Sequence, residues 1–342
     1  AGAISARAQV SPVDSLISAG DSLRRVYCFE QSLAEYNKAL ELVSDTASVW
    51  QDSSMVMKIS DLVLLSENGR NMTGFVYKPE VVTRHKFSKA DFFLYYPLKD
   101  RSWRTVPNQL DSVAGPYSQA LYAPADAQAI YFSAADKDGI RNIYMTEEGD
   151  SLWTVPSLIN EHLTSASDEI YPMISQDGKS LYFASKGLYG VGGYDLYVSH
   201  WDEESGDWAV PVNMGFPYSS PADDFLYVES EDGDYALFAS NRECEGDSVY
   251  VYAIRYESYP VHAPMTDPFE LQELSLINPP LEDTEEPVAE IPDNELTLRY
   301  MAKMDEVRVL RDSIASTSSS LDALRNEYVF GNDPAERARL TN

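Results

Sequence analysis

The spacing of apolar residues divides the chain into regions of different secondary structure. Residues 13–46 repeat their apolar positions every three or four residues, which predicts a helical hairpin. From 47 to 259 the period falls to two and turn residues recur, which predicts a domain of short strands. Residues 294–342 return to helical spacing after an interval, 260–293, without a period. The pattern therefore predicts a mainly β protein flanked by helices.

The N-terminal region is predicted to form two packed helices. Leu16, Ala19, Gly20 and Leu23 share one face of the first, and Tyr36 and Ala39 share one face of the second. This spacing resembles one tetratricopeptide (TPR) unit, although Ser44 stands where that family usually has proline. Because a single TPR unit cannot bury its apolar face alone, we expect the hairpin to pack on a neighbour.

A tryptophan-marked repeat organises the β region. Trp103, Trp153 and Trp208 stand 50 and 55 residues apart, and apolar strands follow each of them. Three further apolar runs precede the first tryptophan and are predicted to be strands of one diverged unit: Asp61–Leu65, Gly74–Tyr77 and Phe92–Tyr96. Each unit would form a small sheet that hides its faces only by stacking against the next one.

The second copy of the repeat carries a specific resemblance. Tyr171, Asp177, Gly178 and Asp195 mark a segment that reads YPMISQDGKSLYFAS, followed by GGYDLY. It resembles the WD40-like (PD40, TolB-like) propeller repeat, especially in envelope proteins of Bacteroidota that join TPR units, a propeller and an OmpA-like domain. The resemblance implies a β-propeller over residues 47–259 with four or five blades. It also implies a periplasmic, outer-membrane-associated protein.

Residues 260–342 are predicted to be an acidic linker followed by a helix. Seven prolines lie between Pro260 and Pro292, and like-charge repulsion should extend residues 260–293. The apolar residues Met304, Val307, Ile314 and Leu321 then follow the spacing of a weak coiled coil. These four residues are candidates for docking a partner.

The negative charge of the chain disfavours nucleic acids and anionic membranes as partners. The net charge is −29, so the chain lacks the basic stripes that bind nucleic acid phosphates or anionic membrane surfaces. No apolar run approaches the length of a membrane span. Residues 1–12 contain Ala6-Arg7-Ala8, which is read as the remnant of a signal-peptidase site or as a disordered tail. The first interpretation predicts an exported protein.

Motifs for catalysis are incomplete. Gly-Asp-Ser-Leu occurs at 20–23 and 149–152, but none of the four histidines follows an aspartate by three residues, as a serine hydrolase of that type requires. The acid pairs Asp168-Glu169 and Asp223-Asp224 suit a glycosidase couple or calcium, and they also suit loop residues that accept backbone N–H groups. The last interpretation is favoured because both pairs hold the same repeat position. No catalytic, metal or cofactor site is predicted.

Several Asp-Ser-aliphatic triplets resemble the O-glycosylation signal of Bacteroidota, and Ser112, Ser151 and Ser248 are the candidate acceptors. The alternative is that Asp-Ser marks turns and helix caps.

Three functions are consistent with these features. The first is a non-catalytic scaffold that binds protein subunits of an outer-membrane-associated complex, such as a secretion or biogenesis machine. The second is a glycan or peptidoglycan sensor that stacks sugars on Tyr189, Tyr194 or Trp201. The third, a glycoside-processing enzyme, depends on the acid pairs alone.

Overall fold

The computed structural model describes residues 11–45, 53–90, 92–96, 103–105, 120–122, 129–147, 154–230, 233–257 and 259–279. The chain divides into a large unit, Ala1–Pro280, and a small one, Leu281–Asn342, and the small unit lies outside the described residues. The predicted C-terminal helix, with Met304, Val307, Ile314 and Leu321, therefore lies outside them as well. The described part of the chain is mainly β, with a curled, half-barrel arrangement of strands and four helices.

Three of the helices form a layer at the N-terminal end. The four helices of the described residues are α1 (Pro12–Arg25), α2 (Phe29–Asp45), α3 (Ser53–Met72) and α4 (Pro268–Ser275). Ser11 caps α1, because its Oγ accepts a hydrogen bond from the Asp14 N–H at 3.1 Å. Helix α2 packs between α1 and α3. The contact with α3 includes a buried hydroxyl pair, Ser32 and Ser66, whose Oγ atoms are 2.9 Å apart.

Close approach of aromatic rings to glycines sets the spacing of this layer. The Tyr36 ring of α2 lies against Gly20 of α1, where an added Cβ would be 2.4 Å from Tyr36 Cε1. The Phe29 ring lies against Gly69 of α3 in the same way, with 2.3 Å to its Cε1. Tyr36 and Ala39 are buried as predicted, whereas Ala19 of the predicted α1 face is exposed.

Antiparallel strands make up the rest of the described structure. They are β1 (Val76–Tyr77), β2 (Val81–Ser88), β3 (Trp103–Thr105), β4 (Ala120–Tyr122), β5 (Ala129–Ala135), β6 (Arg141–Glu147), β7 (Ser157–Leu158), β8 (Glu169–Ile174), β9 (Ser180–Ser185), β10 (Asp195–Asp202), β11 (Asp207–Trp208), β12 (Val212–Asn213), β13 (Asp224–Glu229), β14 (Tyr235–Ser240), β15 (Ser248–Arg255) and β16 (His262–Ala263).

Three consecutive sheets follow the sequence repeat. Sheet 1 has the order β5-β6-β7, sheet 2 the order β8-β9-β10 with β11 and β12 both on β10, and sheet 3 the order β13-β14-β15-β2. Strand β8 lies next to β5 of sheet 1 and β13 of sheet 3, so sheet 2 is in the middle. Two smaller sheets pair β1 with β16 and β3 with β4.

Sheets 2 and 3 repeat the same backbone irregularities. The first strand of each contains a bulge, at which Tyr171 and Leu226 adopt φ values of +51° and +52°. A non-glycine residue rarely adopts the left-handed conformation, so its recurrence at the same position marks the two sheets as equivalent. The hairpin turn after each of these strands has a left-handed glycine, Gly178 and Gly233.

The segment before the first tryptophan differs from the prediction. Asp61–Leu65 lies within α3, because a short apolar run has no period that distinguishes helix from strand. Phe92–Tyr95 forms a 3-10 turn whose Phe92 ring packs edge-on against Tyr171 and Phe225. The strand that the sequence analysis missed, β2, pairs along its length with β15.

The predicted solvated linker is wrong for its first part. Residues 262–263 pair with β1, and Asp267 caps α4 by accepting the Phe269 N–H at 2.8 Å. Leu271 and Ile277 are buried, because α4 covers the end of sheet 3 and the α1–α2 connection. Residues 280–293 lie outside the described residues.

The helices and sheets are joined by direct hydrogen bonds. Arg24 of α1 donates to the Val191 carbonyl at 2.7 Å, and Asn68 of α3 donates to the Gly190 carbonyl at 2.8 Å. Val191 is buried with Phe29 and Phe216 in an apolar cluster that includes residues of α4. The helical layer is therefore packed on the loop between β9 and β10.

The Gly20–Tyr36 contact predicts that Gly20→Ala destabilises the protein, which is the opposite of the usual effect of this substitution in a helix. At an exposed position within a helix, replacing glycine by alanine stabilises the helix by about 1 kcal/mol. At Gly20 the added methyl group overlaps the buried Tyr36 ring, so Gly20→Ala should lower the free energy of unfolding by about 1–3 kcal/mol. Urea unfolding followed by circular dichroism measures this, with exposed Ser18→Ala as the control in the same helix. Stabilisation by Gly20→Ala would show that the two helices are not in close contact.

Candidate functional site

The repeat-marking residues predicted from sequence are mostly structural. Trp208 is buried on β11, where it packs edge-on against Trp201 and against Tyr131 of sheet 1. The Asp177 carboxylate accepts the Ser175 hydroxyl at 2.6 Å and the Lys179 N–H at 3.0 Å, which closes the turn that contains Gly178. These contacts shape the sheets at Trp208 and at the turn after β8.

Other predicted positions are less informative. Trp103 begins β3, and its side chain is not among the described groups. Trp153 and the acceptor candidates Ser112 and Ser151 lie outside the described residues. Ser248 begins β15, is partly buried, and donates to the Glu245 carbonyl at 3.0 Å.

The acid pairs connect neighbouring sheets. Asp168 accepts the Arg141 N–H of sheet 1 at 2.9 Å and the Tyr194 hydroxyl of sheet 2 at 2.9 Å. Asp223 accepts the Tyr194 N–H at 3.2 Å and the Asn241 amide of sheet 3 at 2.8 Å. Both carboxylates therefore satisfy groups of two adjacent sheets, which is a structural role for the first member of each pair.

The second member of each pair is enclosed by serines. Glu169 accepts the hydroxyls of Ser165 at 2.6 Å and Ser185 at 2.8 Å, and Asp224 accepts the Ser220 hydroxyl at 2.7 Å. Burial raises the pKa of Glu169 to about 7, against the opposing effect of the serine hydrogen bonds. Both acids are fully buried.

The aromatic residues proposed to stack sugars are not equivalent. Tyr194 is buried against the acid pairs, so the prediction that it stacks a ligand is wrong. Tyr189 remains 55% exposed, with its hydroxyl accepting from the Asn71 amide at 3.0 Å. Trp201 is 40% exposed on β10.

A cavity of about 590 Å³ lies where the helices meet sheet 3. We call it the helix–sheet groove. Its walls come from four segments: the end of α1 and the connection after it (Arg25 and Tyr27), the loop before β13 (residues 220–222), the loop after β14 (residues 241–244), and the C-terminal end of α4 with the residue that follows it (Gln272, Ser275 and Leu276). Four segments distant in sequence therefore meet at one concave surface, a common setting for binding sites.

The floor of the groove is the buried guanidinium of Arg242. Its donors bond the Ser240 hydroxyl, the carbonyls of Pro217, Tyr218 and Ser275, and the Asp224 carboxylate. The group also lies over the rings of Phe238 and Tyr252. With every donor used, Arg242 holds α4, the 217–218 loop and sheet 3 together and has no donor left for a ligand.

Tyr27 closes the groove on the helical side. It connects α1 and α2 with φ +62° and packs on the rings of Phe29 and Phe216. Burial raises the pKa of its hydroxyl to about 12, so the group stays neutral.

Charged side chains of both signs border the groove, since Arg25, Arg242 and Glu243 are all among its lining residues. Arg25 is exposed there, and its guanidinium makes no ion pair or hydrogen bond within the described part of the chain. Arg84 of β2 pairs with Glu243 at 2.9 Å and donates to the Leu276 carbonyl at 3.3 Å, which places it beside the wall. Lys86 follows on the same face of β2, over the Tyr250 ring.

Sequence reasoning missed this groove because α4 was assigned to a linker. Two signals were present: Asp267-Pro268 is a helix start with Glu270 in the first turn, and Arg242 follows the apolar run Leu237–Ser240.

The described residues contain no cluster that could hold a metal ion, and both cysteines are free. No group of three or more His, Cys, Asp or Glu among them is arranged to hold a metal ion. Cys28 and Cys244 are both free thiols. None of the helices in this part of the chain has the length and apolarity needed to cross a bilayer.

Comparison with protein-family models, with curated proteins and with solved structures gave no significant match. The resemblance to WD40-like propellers therefore rests on the repeat residues alone.

Asp195, another predicted repeat position, gives a pH test of the buried acid network. Its carboxylate accepts the N–H groups of Val191 at 3.0 Å and Gly192 at 3.1 Å. Burial, and then the nearby charge of Asp224, raise its pKa to about 8. The folded state therefore holds a proton that the unfolded chain, with a pKa of about 3.9, has released.

Stability should fall as pH rises from about 4 to 8, since the folded state binds more protons over that interval. Asp195→Asn keeps the two hydrogen bonds without the charge, so it should flatten this fall and stabilise the protein at pH 8. Urea unfolding at pH 5, 6, 7 and 8 measures the effect, and exposed Asp177→Asn is the control. Parallel pH profiles for the wild type and Asp195→Asn would contradict it.

Proposed function

We propose that this protein is a non-catalytic scaffold or adaptor that binds protein subunits of an envelope complex through the helix–sheet groove. The observation that carries the proposal is the assembly of one concave surface from four separate segments, locked at its floor by Arg242. Because the donors of Arg242 are all used within the protein, the groove has a fixed shape before a partner arrives. A preformed surface loses little conformational entropy on binding.

A β-propeller is the architecture we propose for the sheets. Three observations support it: the repeated left-handed bulge at Tyr171 and Leu226, the tryptophan spacing, and the hydrogen bonds that aspartates accept between consecutive sheets. Pairing of β2, an early strand, with the last repeat suits a ring that is closed by strands from both ends of the domain. Four or five blades remain the proposed number.

For the helices we propose a TPR-like unit, with α1 and α2 as its hairpin and α3 packed as the next helix. The buried small residues Gly20 and Ala39 support this, because they allow the helices to approach closely. The hairpin would then serve as a second docking surface beside the groove.

The proposed location is the periplasm, in association with the outer membrane. Its support is the resemblance of the repeat to envelope propellers. The acidic surface suits a protein that stays dispersed and binds partners with basic patches or local charge complementarity.

A glycan-binding role is a second candidate. It is favoured by one observation, the exposed Tyr189 ring, whose residue is held by amides of Asn71 and Asn213. A ring fixed in this way suits stacking on a sugar. Loss of binding to a glycan array on Tyr189→Ala would support this candidate over the scaffold.

Photo-crosslinking in the native cell tests the groove as a protein-binding site. A benzoylphenylalanine at Gln272, on the groove wall, should give discrete crosslinked protein bands on irradiation. The same group at Glu204, in the exposed turn after β10, should give none. Equal crosslinking at both positions, or none at Gln272, would contradict a docking role for the groove.

A further inference from the structure

We infer that the outer edge of β2 is a second interaction surface, to which an extended strand of a partner protein adds through main-chain hydrogen bonds. The inference goes beyond the proposed function, because no residue of β2 lines the helix–sheet groove. Sheet 3 ends at β2, which within the described residues pairs with β15 on one side and with no strand on the other.

The register of β2 decides which of its backbone groups face outward. The Lys89 N–H donates to the Asp247 carbonyl at 3.2 Å, and the pairing continues from there to Thr83 without a shift. Hydrogen-bonded pairs alternate along an antiparallel ladder, so residues 83, 85 and 87 turn their N–H and C=O groups toward β15. The backbone groups of the residues between them therefore point away from β15: those of Arg84, Lys86 and Ser88.

These outward groups are open to a partner. Within the described part of the chain, Arg84, Lys86 and Ser88 make no backbone hydrogen bond on this side. Lys86 and Ser88 are exposed. The Lys86 ammonium lies 5.8 Å from the centroid of the Tyr250 ring, so its side chain lies over the face of the sheet and leaves the edge free. Alternate donors and acceptors at this spacing match the main chain of another strand.

The outer strands of the other two large sheets differ from β2. Strand β7 of sheet 1 follows Pro156 and strand β12 of sheet 2 follows Pro211, and each is two residues long. Short strands and adjacent prolines protect a sheet edge against pairing. Strand β2 runs for eight residues without a proline. Among the outer strands of these three sheets, β2 is therefore the one that offers an edge of ordinary strand length.

Charge disfavours a second copy of this chain as the added strand. Arg84, His85 and Lys86 are consecutive in β2. In the two antiparallel registers that overlap two β2 strands most fully, Arg84 lies opposite either Arg84 or Lys86 of the other copy. Like charges directly opposite each other destabilise a strand pair. The occupant that fits this edge is therefore a strand of a different protein.

Fluorescence anisotropy with defined peptides tests the inference on the full chain. The probes are labelled (Thr-Val)₃, which favours an extended conformation, and the same peptide with every amide N-methylated. The second peptide keeps the side chains and lacks the donors of the main chain. We expect it to bind about tenfold more weakly or less tightly still, because it cannot form the ladder. Equal binding of the two peptides would overturn the inference.

Two variants at one position separate the main chain from the side chain. Lys86→Pro removes an outward N–H and leaves the flanking pairs with β15 intact, as proline at a sheet edge does. It should weaken (Thr-Val)₃ by about tenfold. Lys86→Ala removes the side chain and keeps the N–H, so its affinity should stay within about twofold of the wild type. Equal weakening by the two substitutions would contradict main-chain recognition.

Amide exchange followed by NMR on the wild type needs no variant. Saturating (Thr-Val)₃ should slow exchange at Arg84, Lys86 and Ser88 by about tenfold or more, with little change at the groove residue Gln272. Unchanged exchange at the three β2 amides would overturn the inference. Crosslinking at Gln272 tests the groove independently: if it persists when the peptide experiments fail, the groove keeps its docking role and the β2 edge loses its own.

Discussion

One buried guanidinium, that of Arg242, fixes the position of α4 on sheet 3. Arg242 is buried, and such a charged group is tolerated only when its charge and all its donors are satisfied. Its partners belong to α4, to the loop before sheet 3 and to sheet 3 itself. Removing any of these partners would leave an unsatisfied group inside the protein. Arg242 therefore fixes the position of α4 relative to sheet 3. The helix–sheet groove depends on that position.

Partly buried carboxylates connect the neighbouring sheets. Asp168 and Asp223 each bond groups of two neighbouring sheets, so the sheets do not depend on apolar contact alone. The glycines of the β9–β10 loop make this possible. A side chain at Gly193 would collide with the Asp223 carboxylate, 1.9 Å from its Oδ1. Glu169 and Asp195 are buried near these carboxylates, and burial raises the pKa of both acids. The stability of the sheets therefore depends on pH.

The strands of the repeat could be predicted because their period and turns agree. Leu181–Ser185 and Leu237–Ser240 lie inside β9 and β14, and the glycine turns before them were visible in the sequence. The helix α3 was missed because a helix that is apolar on several sides shows no clear period. The groove was beyond prediction for another reason: it depends on the meeting of Arg25, Arg242 and α4, which are far apart in sequence.

Amide hydrogen exchange on Arg242→Met tests the central claim most directly. Methionine fills similar space without donors, so the backbone of residues 268–277 and 216–224 should lose protection by about tenfold or more, while sheet 2 keeps its own. Arg255→Met, which removes an exposed arginine from the same sheet, is the control and should change neither segment. Unchanged protection of residues 268–277 in Arg242→Met, or an equal loss throughout the sheets, would contradict the role given to this residue.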